Sequence, residues 1–456
     1  MNSHELFTNT PPRKLFFFAA LPGAVSMLAS ALYQLFDGMF VGQFLGSTPF
    51  AALNLAMPFV IINFALADLI GVGSSVPISI HLGRHEDNEA SNYFTCASIL
   101  IVLAGVVVGA AIYAAAPMMI ALMGAEGEFA SLAVSYLRVY GLCSPVTTIV
   151  FAVDNFLRIC GKTRGSMFLN IFMSVLSVAL EAFFLLVLRL GIAGAALGTC
   201  LGMAVTAVVA YIPFFRGRML LRFRRPRFSR AMIRKIVTSG APNFLNNIAG
   251  RITSILMNVL LVRLGGEIAV SIYGVLMYVE GFIQPLLYGM CDSLQPAVGY
   301  NWGARAFPRV KAIEKCCFAA AVVISLLSAL VINCIPEAIA RVFMEDVSAS
   351  VIADTAFALR LFSLTYLTRW FSFATQSFML AIERAGAATL ISLSTALIFP
   401  LLLIAALWPL GLTGLWLNFA GTSVLAGILA AFVMLRLKRD WKALTAARPA
   451  AFKETA

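Results

Sequence analysis

Long apolar runs, closed off by short polar gaps, constrain this chain more than any other feature. About twelve occur, at 14–45, 50–82, 92–120, 131–157, 165–190, 192–215, 236–264, 270–300, 312–336, 352–382, 387–409 and 412–436. About 20 apolar residues suffice for a helix to cross a bilayer core. Backbone exposed to lipid must satisfy its own hydrogen bonds, so each run reads as a helix. Runs longer than this imply tilt or extension into water. The chain is 61% hydrophobic and only 12% charged. Soluble domains carry about 25% charged residues, so lipid must cover most of this surface. The expected fold is therefore an all-α integral membrane protein with about twelve transmembrane helices.

The net charge of +12 fits membrane topology better than nucleic acid. Alternate gaps are basic, with Arg84, then Arg158, Lys162 and Arg164, then the stretch from Arg216 to Lys235. Arg305, Arg309 and Lys311 follow, then Arg384, then Arg436, Lys438 and Arg439. The intervening gaps are short or acidic, with Glu126, Glu128, Glu345 and Asp346; Arg189 and Arg263 are the exceptions. The positive-inside rule then places both termini and the basic linker in the cytoplasm. The linker is expected to lie on the membrane surface as an anchor. The first apolar run has no small-residue cleavage site and is too long for a signal-peptide core, so it is expected to be retained. The eight cysteines lack CxxC or Cys/His spacing and the histidines are only His4, His81 and His85, so no metal or other cofactor is expected.

A shift of about 220 residues brings similar segments into register. LPGAVSML at Pro22 aligns with APNFLNNI at Pro242, SVPISIHLGR at Pro77 with LQPAVGYNWGAR at Pro296, and LGIAGAALG at Gly191 with LGLTGLWLN at Gly411. Six spans per copy make the halves parallel rather than inverted. The expected layout is an N-terminal six-helix lobe (1–215), a basic cytoplasmic linker (216–235), a C-terminal six-helix lobe (236–440) and a cytoplasmic tail (441–456). Paired bundles of this kind bind substrate near the midplane, between the repeats.

Four segments in order carry a family resemblance: LPGAVSML through YQLFDGMFVGQFLG, NFLRICGKTRGSM, ALEAFFLLVLRLGIAGAALGT and LQPAVGYNWGAR. Together they resemble the multidrug and toxic compound extrusion (MATE) family, across nearly the whole chain. The resemblance implies an exporter of amphipathic, often cationic drugs or metabolites across a bacterial inner membrane in exchange for protons, with sodium as the alternative ion; a monomer is expected. One competing reading is a lipid-linked sugar flippase of the same superfamily. Intramembrane acids outnumber bases here, which favours cationic cargo over an anionic lipid. The other is a membrane enzyme, for which no catalytic constellation is present.

Charged residues inside a membrane are functional candidates by default. Asp37 follows Tyr33 and Gln34 on one face of the first span. Asn170, Ser174, Ser177 and Glu181 form a polar stripe at spacings of 4, 3 and 4, expected to face the lobe interior. The repeat puts about Met257 and Leu403 where Asp37 and Glu181 stand, so the fold itself does not require acids there. The resemblance implies an N-lobe cation site at these residues, joined by Asp154 and Asn155. It usually has Asp where this chain has Glu181, which weakens the case for sodium. Asp154 has a simpler reading as an i,i+4 partner of Arg158. Asp68, a gate or a lobe-interior contact, stays open between those roles. Glu280 and Asp292 are read as partners of Arg251 and Arg369, or else as substrate contacts. Tyr273, Met277 and Trp370 are candidates for a pliable drug cavity or for packing. Pro22, about four turns before Asp37, is the expected hinge. Proton exchange at Asp37 would let the lobe repack around a bent or straight first helix.

Overall fold

Proline and glycine punctuation sets where the helices begin and end. The computed structural model describes residues 3–343 and 348–446. Among these residues there is no strand. The helices are α1 (Ser3–Thr8), α2 (Pro12–Leu45), α3 (Ser47–Gly83), α4 (Asp87–Leu122), α5 (Gly127–Thr147), α6 (Ile149–Ile159), α7 (Thr163–Ala182) and α8 (Gly191–Phe215). There follow α9 (Arg230–Gly303), α10 (Phe307–Cys334), α11 (Pro336–Phe343), α12 (Ala349–Ser363), α13 (Arg369–Ala381), α14 (Ala385–Leu393), α15 (Phe399–Leu407) and α16 (Gly411–Ala446). The helix α9 is two spans in sequence, parted at Gly266, whose φ of 62° and ψ of −152° lie outside helical space. Gly411, at φ 57°, likewise parts α15 from α16. The pairs α5 with α6, α12 with α13 and α14 with α15 each make one interrupted span. Twelve membrane spans result, six in each lobe.

The backbone repeats as the sequence does. Positive-φ residues recur 220 positions apart at Gly46 and Gly266, His85 and Arg305, and Gly191 and Gly411. The fourth span breaks at Thr148 and the tenth at Thr368, again 220 apart. These are positions where the chain leaves one helix for the next, so they preserve span length and direction in both copies.

The lobes meet at one end only. On the side of the basic loops, a single apolar core runs through both, from Leu15, Ile78, Phe94 and Phe156 to Leu294, Val310 and Met379. On the far side there are two separate cores. One is built on Val41, Tyr136, Leu137 and Ile192 of the N-terminal lobe, the other on Met257, Leu276, Phe362 and Trp416 of the C-terminal lobe. The joined side depends on a reciprocal crossing of α3 with the second half of α9. A Cβ on Gly83 would lie 2.9 Å from the carbonyl carbon of Tyr300, and one on Gly303 would lie 3.0 Å from that of Ile80. Residues 80 and 300, like 83 and 303, are 220 apart, so the contact obeys a two-fold relation between the lobes, as in an isologous interface.

Two sequence boundaries shift. Helix α9 already begins at Arg230, where the Ser229 side chain caps the Met232 N–H at 3.1 Å. Only 216–229 are therefore non-helical linker. That linker is tied to the start of α4 by backbone N–H groups, Arg224 to Thr95 Oγ1 at 3.1 Å and Arg227 to Asn92 Oδ1 at 2.9 Å, while its arginine side chains stay exposed. At the other end α16 continues to Ala446, with Trp441 packed against Trp302 and Phe307. The gap acids Glu345 and Asp346, and tail positions 447–456, lie outside the described residues.

Candidate functional site

Three small residues in α8 make the first polar site possible. Gly194, Gly198 and Gly202 recur every four residues and form one face. A Cβ at Gly198 would stand 2.6 Å from the backbone of Glu181, and one at Gly202 would stand 2.9 Å from Cα of Ser177. Helix α8 thus lies directly on the stripe of α7, as small residues permit between membrane helices. Glu181 is fully buried and Ser177 is 1% exposed. The Glu181 carboxyl faces that of Asp37, which α2 brings in at 2% exposure. Thr199, next to Gly198, donates to Asp37 Oδ1 at 3.4 Å, and the Tyr33 hydroxyl bonds Thr199 in turn. Tyr136 and Tyr140, ring centroids 5.1 Å apart, close the pocket from α5. Neither oxygen of Glu181, nor Ser177 Oγ, has a hydrogen-bond partner among the described residues. Buried polar atoms are rarely left so. The Gln34 side chain lies outside the described residues.

A second polar cluster lies toward the joined side. Ser26 belongs to it and precedes Asp37 by eleven residues on α2, about 16 Å along a helix. Arg158, 3% exposed, is its centre. Its guanidinium pairs with Asp154 at 2.7 Å, bonds Ser166 at 3.2 Å, and crosses to Ser293 of the other lobe at 3.0 Å. Asp154 also accepts from Ser166 and from Asn170, at 2.8 Å for the latter; Asn170 donates to Ser26 at 2.6 Å. Asp68 and Asp292 both face Arg158. Asp154 thus has the local arginine partner that its spacing suggested, within a wider network. Asn155 turns back to its own helix, donating to the Phe151 carbonyl at 2.9 Å. The hydrogen bonds and ion pair of these two residues run to Arg158, Ser166, Asn170 and Phe151, not to Asp37 or Glu181.

The C-terminal lobe corrects one expectation. Glu280 does pair with Arg369, at 2.6 Å, and accepts from Tyr366 at 2.6 Å. Asp292 is not set against either arginine. It accepts from Gln295 at 2.8 Å and Ser377 at 3.4 Å, because it sits three turns further along α9, at the lobe interface. Arg251 has no ion pair among the described residues. Tyr273 is buried, bonded to Ser254 at 3.2 Å and stacked on Phe419. Met277 joins the same core, and Trp370 packs on Phe318 and Phe371. All three are in packing contacts. Where the repeat places Met257 opposite Asp37, Met257 is 1% exposed in an apolar core.

Pro22 lies inside the unbroken helix α2. Lacking an N–H, it leaves the carbonyl four residues back, on Phe18, without its helical partner. Thr163 of α7 supplies that partner, donating to Phe18 O at 2.8 Å. Gly23, next to Pro22, lies against Gly289 of the other lobe.

Two six-helix lobes related by a parallel repeat, joined at one end and separate at the other, with a pair of facing acids buried inside one of them, make the frame of a membrane transporter. The MatE family model matches residues 22–183 and again 242–404, the two matches starting 220 residues apart. The chain belongs to the MatE family. It is similar to the multidrug export protein MepA of Staphylococcus aureus (strain N315), with 27% identity over 440 residues, 95% of this chain and 96% of the relative. It is similar to the Staphylococcus saprophyticus MepA at 26% over 428 residues, covering 92% and 93%. Among solved structures it resembles a MATE in the bent conformation, with TM-score 0.90, 23% identity and coverage of 98% and 99%. It also resembles a MATE in the straight conformation, with TM-score 0.89, 23% identity and coverage of 96% and 98%. A multidrug resistance MATE transporter in an outward-facing conformation gives TM-score 0.89 at 24% identity, covering 96% and 97%.

Proposed function

We propose that this protein exports amphipathic, cationic compounds across a bacterial inner membrane, driven by protons taken up at Asp37 and Glu181. One observation carries the reading: two carboxyls face each other inside the N-terminal lobe, and among the described residues no lysine, arginine or histidine is paired with them and no hydroxyl or N–H donates to either Glu181 oxygen. Two buried like charges repel strongly at low dielectric. The pair must therefore take up positive charge, and a proton meets that need without the ligand set that sodium demands. Cargo reaches the cleft between the lobes. The MepA relatives, named as multidrug export proteins, support drug-like cargo.

Loading the pair changes the charge at the end of α2, and Pro22 gives that helix a place to bend. The bent and straight conformations of similar MATE structures support the same movement here. With the basic loops in the cytoplasm, the joined side is the cytoplasmic one and the separate cores flank an outward-open cleft. Proton entry from outside would then release cargo, and closure would return the cleft inward. A division of the lobes at the 216–229 linker, both termini in the cytoplasm, and action as a monomer complete the proposal.

The experiment is dye efflux from proteoliposomes holding the monomeric protein, with pH and sodium gradients imposed separately. Efflux driven by sodium alone would assign the pair to sodium. A reporter fused to the C-terminus should signal from the cytoplasm; a periplasmic signal would overturn the orientation.

A further inference from the structure

The two polar sites above leave one buried acid unused. Glu314, on the first turns of α10, is 8% exposed, and its Oε1 has no hydrogen-bond partner among the described residues. It borders a small cavity of about 10 Å³, lined also by Cys291, Gln295, Cys317 and Ser377. That is close to the volume one water needs. The titratable groups around Glu314 are the Cys291 and Cys317 thiols, whose sulfurs are 3.6 Å apart, and the Asp292 carboxyl beyond Gln295 and Ser377. No lysine, arginine or histidine among the described residues is paired with it. Lys311, one turn back on the same helix, lies over the Trp441 ring instead.

The cavity is connected to the lobe interface by side-chain hydrogen bonds. The Gln295 amide donates to Ser377 at 2.9 Å and to Asp292 at 2.8 Å, and Asp292 faces Arg158 of the other lobe. An unpaired carboxylate at such a place would be an uncompensated buried charge. Thiols are poor ligands for hard cations, and the cavity has no room for a hydrated ion. The species that fits is a proton, with one water at most.

We propose that Glu314 is a proton-binding site of the C-terminal lobe, which exchanges its proton with the lobe interface through the cavity and the Ser377 hydroxyl to Asp292, with the Gln295 amide holding Ser377 and Asp292 in place. While the lobes are joined, Glu314 holds the proton as a neutral acid. When the joined side opens, Asp292 and Gln295 meet water. The proton then leaves Glu314 through the cavity and its O–H electron pair stays on the carboxylate. On closure a proton returns by the same way. This rests on the reading of the chain as a proton-driven exporter, and gives it a second proton on the lobe that lacks the Asp37 pair.

Infrared difference spectra of the full-length protein in liposomes, stepped across pH, test it. Glu314→Gln should lose one protonated-carboxyl band that Asp37→Asn retains. It should also slow pH-gradient-driven dye efflux while dye binding persists, and Glu314→Asp should restore part of the rate. Spectra of Glu314→Gln identical to wild type, or unchanged efflux, overturn the proposal. If Glu314→Gln does not fold, Gln295→Leu keeps the acid and breaks its link: hydrogen–deuterium exchange of the same band should slow, and an unchanged rate overturns the proposal. Wild-type efflux indifferent to the pH gradient would instead remove the exporter reading, while the Glu314 band would still stand.

Discussion

The N-terminal and C-terminal lobes share a backbone but not a chemistry. Positive-φ residues, helix breaks and the Gly83/Gly303 crossing recur at an interval of 220. At the pocket level the copies part. The N-terminal lobe puts Asp37, Glu181, Thr199 and Tyr33 together, whereas the C-terminal lobe has buried Met257 in an apolar core, its sulfur accepting from Asn418 at 4.0 Å. The acids are therefore not needed to form six packed helices. A buried pair of facing acids is a cost to folding, and the presence of that pair in one copy alone marks a function that the other copy does not duplicate at the matching positions.

The sharpest way to break this comparison is to remove the charge from each copy in turn. Glu181→Gln should abolish gradient-driven dye efflux and leave dye binding measurable in reconstituted protein. Met257→Leu and Leu403→Ile, the matching sites, should keep near wild-type efflux. Equal sensitivity at all three positions would end the asymmetry argument.

Arg158 offers a smaller but still large effect, because it ties the lobes together. Removing a buried ion-pair partner costs about 3–5 kcal/mol. Arg158→Gln should therefore lower thermal stability markedly, leaving Asp154, Asp68 and Asp292 without their cation. Arg369→Gln, which breaks the pair with Glu280 within one lobe, should destabilise without changing cysteine cross-linking across the Gly83/Gly303 crossing. Cross-linking there should fall in Arg158→Gln; if both variants behave alike, Arg158 has no special part in joining the lobes.

The smallest expected effect concerns the hinge. Thr163→Val leaves the Phe18 carbonyl without its partner, and an unsatisfied buried acceptor costs about 1–3 kcal/mol. The melting temperature should drop modestly, and Pro22→Ala, which restores a helical N–H for that carbonyl, should recover it in the double variant. Additive losses in the double variant would show that Thr163 and Pro22 act separately.

Much of the fold was legible in the sequence because span length, loop charge and a 220-residue repeat are local or periodic signals. The Asn170–Glu181 stripe also gave its buried face correctly, since spacing on one helix defines a face. What faces it was not legible. Thr199 was overlooked, although the Gly194, Gly198 and Gly202 spacing around it signals a close helix contact. Linear spacing sets Asp292 with the arginines of its own lobe, or with substrate or ion, because it does not reveal a partner contributed across the lobe interface. Glu314 lies at the start of the expected span 312–336, beside Lys311 and Lys315, and spacing alone does not show that it turns inward. Its burial follows from α10 starting at Phe307, which draws position 314 into the bundle.

The central claim is that the N-lobe carboxyl pair converts a proton gradient into export. The direct measurement is dye efflux from proteoliposomes carrying wild type or Asp37→Asn, under a pH gradient alone and a sodium gradient alone, with dye binding measured on the same preparations. The account predicts pH-driven efflux in wild type, none in Asp37→Asn, and dye binding in both. Gradient-driven efflux at the wild-type rate in Asp37→Asn would contradict it.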